Sequence, residues 1–144
     1  MGVKGFFRFR LILSALTGVF FLTSNATGAD MTESDKNWDK VFAKSDMVDV
    51  SKVSFKNRYG IELTGDLYLP KGKASEKLAA IAVSGPFGAV KEQASGLYAQ
   101  TMAERGFAAL AFDPSYTGES GGEPRLVASP DINTEDFSAA VDFL

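Results

Sequence analysis

The chain contains no cysteine and no histidine among its 144 residues. Without cysteine it can form no disulfide bond, no thiolate metal site and no lipid anchor on a cysteine side chain. Because histidine is absent as well, we expect no zinc site, and we predict neither a metal nor a cofactor. The missing histidine also removes the group that usually takes the proton of a serine nucleophile.

Apolar runs long enough to span a membrane are also lacking. The run near the N-terminus, residues 11–22, has 12 residues, whereas a spanning helix needs about 20. Three basic residues and no acidic residue precede this run, and the small residues SNATGA follow it. This pattern is typical of a secretory signal peptide. We therefore predict a cleavable signal peptide at residues 1–28, export to the periplasm or medium, and no stable membrane span after cleavage.

An excess of basic residues is absent too, since the formal net charge is −3. The only charged residues in the predicted signal peptide are basic, so its loss would leave the remaining chain more acidic. A nucleic-acid-binding protein would show a basic face or stripe, and none is visible. We therefore expect a small-molecule partner and no nucleic acid, and the sequence does not fix the oligomeric state.

Residues 29–49 form a polar segment that precedes the patterned part of the chain. Trp38, Val41 and Phe42 follow one another at spacings of three and four residues, which indicates one short helical turn that docks on the domain. We interpret residues 29–49 as a linker with this turn, and residues 50–144 as the start of a domain.

Two segments after residue 50 predict an antiparallel strand pair. VSKVSFKN is followed by the turn NRYG, and IELTGDLYLP then alternates between apolar and polar residues. A period of two indicates half-buried strands. Gly60 can adopt a positive φ in the connection, and Pro70 ends the second strand.

Two further apolar runs, LAAIAV and FAALAF, do not alternate, which is typical of strands buried on both faces. Between them the chain predicts a helix that ends near Gly106. Strand, helix and strand in this order form a βαβ unit. The residues expected on the inner face of this helix are Ala94, Leu97, Tyr98, Thr101 and Met102.

The end of the chain, NTEDFSAAVDFL, predicts another helix, with Asn133 or Thr134 as its N-cap. Its expected inner face carries Phe137, Ala140, Val141 and Leu144. The predicted fold class is therefore α/β, with an antiparallel strand pair, a βαβ unit and the start of a further helix.

The turn SGPFGAVKEQ after the first buried run is a candidate site, because ligands of open α/β sheets bind at the carboxyl ends of the strands. One interpretation is a phosphate cradle with Asp113 holding a ribose. The spacing G-x-G-x-x-G is missing, however, and Pro86 has no N–H to donate.

A second interpretation is that this turn donates a backbone N–H to an oxyanion. The N–H of Phe87 is then the candidate donor, with Gly85 and Gly88 allowing a tight turn and close approach of a substrate. A third interpretation, that the glycines only shape a tight turn, stays open at this point.

The segment GESGG fits the G-x-S-x-G pattern of a nucleophile elbow, with Ser120 at its centre. An elbow places the serine directly between a strand and a helix. Here four residues separate Asp113 from Gly118, and Glu123-Pro124 follow where a helix should begin. We therefore interpret Ser120 as a loop residue and Asp113 as a turn-forming residue.

In their order along the chain, these segments resemble the N-terminal part of an α/β-hydrolase of the bacterial dienelactone-hydrolase-like and prolyl-oligopeptidase-like group. The resemblance covers residues 38–144. The segments that carry it are WDKVFAKSD, VSFKNRYGIELTGDLYLP, GPFGAVKEQ, LYAQTMAERGFAALAFD, YTGESGGEPR and EDFSAAVDFL. Many members have histidine before the proline of the oxyanion turn, where this chain has Gly85.

The resemblance implies a hydrolase of carboxylic esters or related acyl compounds. Its nucleophile (serine or cysteine), acid and histidine would all lie beyond Leu144, so that this chain contains no catalytic triad residue and is inactive alone. The alternative is a non-catalytic module that uses its glycine-rich turns to bind an anionic ligand or a partner.

Overall fold

The computed structural model describes residues 37–144. The predicted signal peptide and residues 29–36 of the predicted linker lie outside the described residues. No helix within residues 37–144 is long and apolar enough to cross a membrane. The elements of this part of the chain are β1 (Val48–Lys56), β2 (Glu62–Pro70), β3 (Ala80–Val83), α1 (Ala94–Glu104), β4 (Ala108–Phe112) and α2 (Pro130–Phe143).

The strands form one mixed sheet in the order β1-β2-β4-β3. β1 pairs antiparallel with β2 and β2 antiparallel with β4, whereas β3 and β4 are parallel. The predicted strand pair and βαβ unit are thus confirmed. Gly60 adopts φ 77° in the turn between β1 and β2, a conformation that glycine reaches without steric cost.

Apolar side chains pack on both faces of the sheet. One cluster joins Tyr68 of β2 and two alanines of β4, Ala109 and Ala111, to Ala99 and Ala103 of α1. The other joins Leu110 and Phe112 of β4 to Ala140 of α2. β4 is therefore buried on both sides, as predicted.

β3 departs from the prediction of a strand buried on both faces. Ala80 is exposed and the other three residues of β3 are only half-buried. The reason is its position at the edge of the sheet, where β4 is its one hydrogen-bonded neighbour among the described strands. An apolar run without alternation does not distinguish such an edge from a central position.

The predicted inner face of α1 is wrong in part, since Met102 packs against the core but Ala94 is exposed. Leu97 and Tyr98 are 47% and 53% exposed, and the buried residues are Ser95, Gly96, Ala99, Gln100 and Ala103. Gly96 faces the sheet at close range, because a Cβ on Gly96 would sit 2.9 Å from the Tyr68 hydroxyl oxygen of β2. The same Cβ would lie 2.3 Å from the Lys91 carbonyl oxygen in the segment that precedes the helix.

α2 begins earlier than predicted, with Ser129 as N-cap and Pro130 in its first turn, so neither Asn133 nor Thr134 caps it. The predicted inner face is also wrong in part, because Phe137, Val141 and Leu144 are exposed and only Ala140 of that face is buried. The buried residues of α2 are Glu135, Asp136, Ala139 and Ala140. The inner face of α2 therefore carries two carboxylates and is not a continuous apolar stripe.

The predicted helical turn around Trp38 is absent, and residues 38–45 run as bends and irregular structure. The Trp38 indole N–H donates to the Phe42 carbonyl at 2.5 Å, and the two rings pack edge to face. Lys40 reaches the buried Asp66 carboxylate at 2.9 Å. Side-chain bonds, which spacing alone does not show, hold this segment on the domain.

Candidate active site

The turn at residues 85–88 follows β3 directly at its carboxyl end. The Ala89 N–H donates to the Pro86 carbonyl at 2.9 Å, and Gly88 adopts φ 82°. This is the hydrogen bond and the positive φ of a type II turn, with Phe87 and Gly88 as its central residues. Glycine is required at position 88 because a positive φ is strained for any residue with a Cβ.

Gly85 is required for a different reason, which is space. A Cβ at this position would lie 2.9 Å from the Cβ of Ala89 and 3.8 Å from the Ser95 hydroxyl oxygen. Contacts under 3.0 Å force a neighbour to move, and here the neighbour belongs to the same turn. Gly85 therefore allows the chain to fold back on itself within four residues.

Phe87 stands out of the turn, with 71% of the residue exposed. Its backbone N–H donates to no acceptor within residues 37–144. An N–H at this position of a type II turn has no partner inside the turn itself, so it is free to bind an incoming group. The predicted role as an oxyanion donor requires an N–H of this kind and stays a prediction.

A cavity of about 60 Å³ lies beside the turn. It is bounded by the turn, by the segment after β4 and by the first turn of α2. The lining residues are Gly85, Pro86, Phe87, Gly88, Ala89, Pro114, Thr117, Val127 and Asn133. The turn thus faces a small, largely apolar space at the carboxyl ends of β3 and β4.

The loop at residues 113–122 is built around the buried carboxylate of Asp113. Asp113 Oδ1 accepts from the Lys91 N–H at 2.8 Å, and Oδ2 accepts from the Glu119 N–H at 3.0 Å and from Lys91 Nζ at 3.1 Å. Asp113 therefore ties the segment after the 85–88 turn to the 113–122 loop. Asp113 is also fully buried, so it offers no acceptor to a ribose, and the phosphate-cradle interpretation loses its ribose partner.

The Lys91 side chain is fully buried and bonds three carboxylates. Besides Asp113, its Nζ lies 2.5 Å from Glu92 Oε1 and 2.7 Å from Glu119 Oε2. Burial by itself lowers the pKa of Lys91, but the bonds to Glu119, Glu92 and Asp113 outweigh it and hold the pKa above its usual value. Lys91 is therefore a charged structural anchor and not a neutral base.

Ser120 is a structural residue of the loop, as predicted. Its hydroxyl donates to the Asp113 carbonyl at 2.6 Å and accepts from the Thr64 N–H at 2.9 Å. Only 2% of the residue is exposed. A hydroxyl that is buried and bonded on both sides offers a substrate no access.

Sequence reasoning missed a buried polar network around Asp136. Its carboxylate accepts from the Ser115 N–H and hydroxyl, both at 2.8 Å, and from Asn57 Nδ2 at 2.8 Å. Ser115 thus has a carboxylate partner that the sequence did not reveal. Both Ser115 and Asp136 are fully buried. A polar residue within an otherwise apolar helical face was the available signal.

The neighbouring Glu135 completes this attachment of α2. It accepts from the Arg58 N–H at 3.0 Å and pairs with the Arg58 guanidinium. Hydrogen bonds from Arg58 lower the pKa of Glu135. The carboxylates of α2 therefore fix the helix to the turn after β1 and to the loop after β4. Within residues 37–144 no cluster of acidic side chains is arranged to hold a metal ion.

Two curated relatives match much of this chain. PA2218 of Pseudomonas aeruginosa is 67% identical over 123 residues, which cover 85% of this chain and 33% of PA2218. The thiohydrolase aneE of Aspergillus aculeatus is 38% identical over 94 residues, which cover 65% of this chain and 28% of aneE. The chain therefore spans about a third of the length of the curated relatives it matches. No protein-family profile matches it.

Solved structures show the same fold. The crystal structure of PA2218 aligns with a TM-score of 0.71 at 72% identity, covering 75% of this chain and 34% of the other. The α/β-hydrolase GrgF from Penicillium aligns with a TM-score of 0.58 at 30% identity, covering 66% and 32%. The Pyrococcus furiosus esterase Pf2001 aligns with a TM-score of 0.55 at 18% identity, covering 73% and 40%, a likeness of fold alone. The chain has a partial α/β fold that corresponds to one portion of an α/β-hydrolase.

Proposed function

We propose that this chain forms the oxyanion-binding side of an exported α/β-hydrolase that cleaves carboxylic esters or related acyl compounds. Within the superfamily we assign it to the dienelactone-hydrolase-like and prolyl-oligopeptidase-like group. The observation that carries the proposal is the N–H of Phe87. It has no acceptor within residues 37–144, lies in a tight turn at the carboxyl end of β3, and borders a cavity.

The chemistry assigned to this turn is the stabilisation of developing negative charge. When a nucleophile attacks an acyl carbonyl, the carbonyl oxygen becomes an oxyanion, and a fixed N–H donor lowers the energy of that state. The glycines on either side of Phe87 keep side chains away from the approaching carbonyl. One such donor is typically worth about 10²–10³ in turnover.

The nucleophile, acid and histidine of the proposed mechanism are supplied by residues outside these 144. The chain has no histidine, and the hydroxyls of Ser115 and Ser120 are buried and already bonded. That the chain spans about a third of PA2218 is consistent with this assignment. The nucleophile is a serine or a cysteine.

The names of the relatives support hydrolysis as the reaction class, since aneE is a thiohydrolase and GrgF an α/β-hydrolase. They do not favour a non-catalytic binding module. Export is proposed from the basic start, short apolar run and small residues of residues 1–28. In this proposal the partner is a small acyl or ester substrate.

The proposal is tested by active-site labelling of the natural gene product, purified from its host. A fluorophosphonate probe detects a serine nucleophile and iodoacetamide a cysteine nucleophile, and mass spectrometry locates the labelled residue. We expect stoichiometric labelling at one residue outside residues 1–144, together with a mature N-terminus near residue 29. The 144-residue chain by itself is the control and should remain unlabelled.

Labelling at Ser120 would overturn the proposal, as would a gene product that neither reacts with either probe nor hydrolyses any of a panel of p-nitrophenyl esters. Export is judged separately from the mature N-terminus. A protein that keeps residue 1 would remove the export part of the proposal and leave the hydrolase part intact.

A further inference from the structure

The 85–88 turn has little packing of its own. Pro86, Phe87 and Gly88 are all exposed. The hydrogen bond from the Ala89 N–H to the Pro86 carbonyl closes the turn, but it does not fix how the turn is oriented on the sheet. Segments with few buried contacts are the ones that move most readily. The orientation of the Phe87 N–H therefore depends on how the chain is attached on either side of the turn.

Both of these attachments are made to β4 and the residue that follows it. Before the turn, β3 pairs with β4, and Val83 lies opposite Ala111. After the turn, the Lys91 N–H donates to Asp113 Oδ1 at 2.8 Å, and Lys91 Nζ lies 3.1 Å from Asp113 Oδ2. The first attachment is an ordinary strand pairing, whereas the second runs through the carboxylate of Asp113.

The Asp113 carboxylate is itself held in one position. It is fully buried, and its Oδ2 accepts from the Glu119 N–H at 3.0 Å. A Cβ on Gly118 would lie 2.2 Å from the same oxygen, so the 113–122 loop passes closely over it. The Arg125 guanidinium donates to the Gly118 carbonyl at 2.6 Å and holds this part of the loop. The carboxylate thus connects a fixed loop to the chain that leaves an exposed turn.

We propose that Asp113 is a positioning residue, whose carboxylate holds Lys91 and thereby orients the Phe87 N–H toward the carbonyl oxygen of the substrate. This inference rests on the proposed function and adds a residue to it. A donor stabilises an oxyanion most when it is held in place before the reaction begins. A misplacement of about 1 Å can lower a rate by about 10²-fold. Displacing or neutralising the Asp113 carboxylate therefore weakens the contribution of the Phe87 N–H.

The test is a double-mutant comparison on the natural gene product. The kcat for p-nitrophenyl butyrate is measured for F87L, which keeps the N–H, and for F87P, which removes it. Both are made in the wild-type background and in D113N and G118A. D113N removes the charge at nearly unchanged volume, whereas G118A keeps the charge and displaces the carboxylate. Each kcat is referred to the concentration of sites that react with the active-site probe, so that unfolded protein does not count.

E135Q and G60A are the matched control backgrounds. Glu135 is a buried carboxylate that pairs with Arg58, and Gly60 has a positive φ with nothing within 4 Å of an added Cβ. Within residues 37–144 neither residue makes a hydrogen bond to the turn or to Asp113. The controls therefore repeat the chemical change of each test variant at a place outside the proposed connection.

We expect the ratio of kcat in F87L to kcat in F87P to be about 10²–10³ in the wild-type background. The ratio should fall at least tenfold in D113N and in G118A and should keep its wild-type value in E135Q and G60A. If D113N does not fold, the G118A result decides.

A ratio that keeps its wild-type value in the test variants overturns the positioning role of Asp113 and leaves the proposed function intact. A fall of the same size in the controls also overturns that role, since the loss would then follow stability alone. A ratio near one in the wild-type background overturns the proposed role of the Phe87 N–H, and the inference about Asp113 with it.

Discussion

Two glycine-rich segments follow the parallel strands of this sheet, and they differ in what they do with their polar groups. The 85–88 turn after β3 leaves the Phe87 N–H without an acceptor among the described residues and exposes the Phe87 ring. The 113–122 loop after β4 uses its carboxylate and hydroxyl groups internally, at Asp113, Ser115 and Ser120. The first segment leaves a donor without a partner among the described residues, and the second bonds its polar groups within the protein.

This difference shows that a match to a catalytic sequence pattern does not by itself identify a reactive segment. GESGG carries the serine pattern of a hydrolase, yet its serine is buried and bonded on both sides. GPFG carries no reactive side chain, yet the Phe87 N–H within it has no acceptor among residues 37–144.

The largest expected effect is a loss of stability when the Asp113 carboxylate, which joins the two segments, is removed. D113A would leave the buried Lys91 ammonium without its innermost partner and two N–H groups without an acceptor. Breaking a buried ion pair costs about 3–5 kcal/mol of unfolding free energy. Urea unfolding of D113A should show this loss, with D46A, at an exposed aspartate, as the control. A loss equal to that of D46A would contradict the assigned role.

A pair of glycine substitutions sharpens the contrast between the segments. Gly88 and Gly118 both have positive φ, but a Cβ on Gly88 meets nothing within 4 Å, whereas one on Gly118 would lie 2.2 Å from Asp113 Oδ2. G88A should therefore cost only the about 1–2 kcal/mol of the left-handed conformation. G118A should cost more, because it also displaces the Asp113 carboxylate. Equal shifts in the urea midpoint would show that the 113–122 loop is not tightly packed.

Removing the Ser120 hydroxyl should affect stability and not reactivity. S120A leaves the Thr64 N–H without its acceptor, which costs about 1–3 kcal/mol of unfolding free energy. The rate of active-site labelling of the natural gene product should stay at the wild-type value. S51A, on the exposed side of β1, provides the control for stability. Loss of labelling in a folded S120A protein would show that the segment assignments are reversed.

The smallest expected effect is a pH dependence that arises in the 113–122 loop. Hydrogen bonds from Lys52 and Lys91 hold the pKa of Glu119 below its usual value of 4.5. A depressed pKa means that this stabilisation is complete above the usual value and is lost as the pH falls through the lowered one. Because Glu119 is half-exposed, we expect a contribution below about 1 kcal/mol.

The measurement is urea unfolding between pH 7 and pH 3. The difference in unfolding free energy between wild type and E119Q should shrink as the pH falls below 4.5. The substitution E123Q, at an exposed position in the same region, is the matched control. A difference that grows with acidity would contradict the assigned direction.

Much of the fold could be predicted from local pattern. Alternation predicted β1 and β2, two short apolar runs around a helical segment predicted the βαβ unit, and glycine marked the turns at Gly60 and Gly106. These features depend on near neighbours in the sequence. The edge position of β3 does not, because strand order is decided by pairing partners that the apolar pattern leaves undefined.

The inner faces of the helices were harder to predict because small residues in α1 and carboxylates in α2, and not large apolar side chains, face the rest of the protein. In α1 the small residues Gly96 and Ala99 are buried against the sheet, which lets the helix pack close to it, whereas Leu97 is exposed. α2 turns Asp136 inward because Ser115 bonds it across 21 residues of sequence. Such partners are invisible until the chain is folded.

The central claim is that the Phe87 N–H stabilises negative charge on the substrate, and removing that N–H alone tests it most directly. Proline is favoured at the first central position of a type II turn, so F87P keeps the turn and removes the donor, while F87L keeps both turn and donor. We predict a kcat for ester hydrolysis by the natural gene product about 10²–10³ lower in F87P than in F87L. Equal kcat values in the two folded variants would contradict the account.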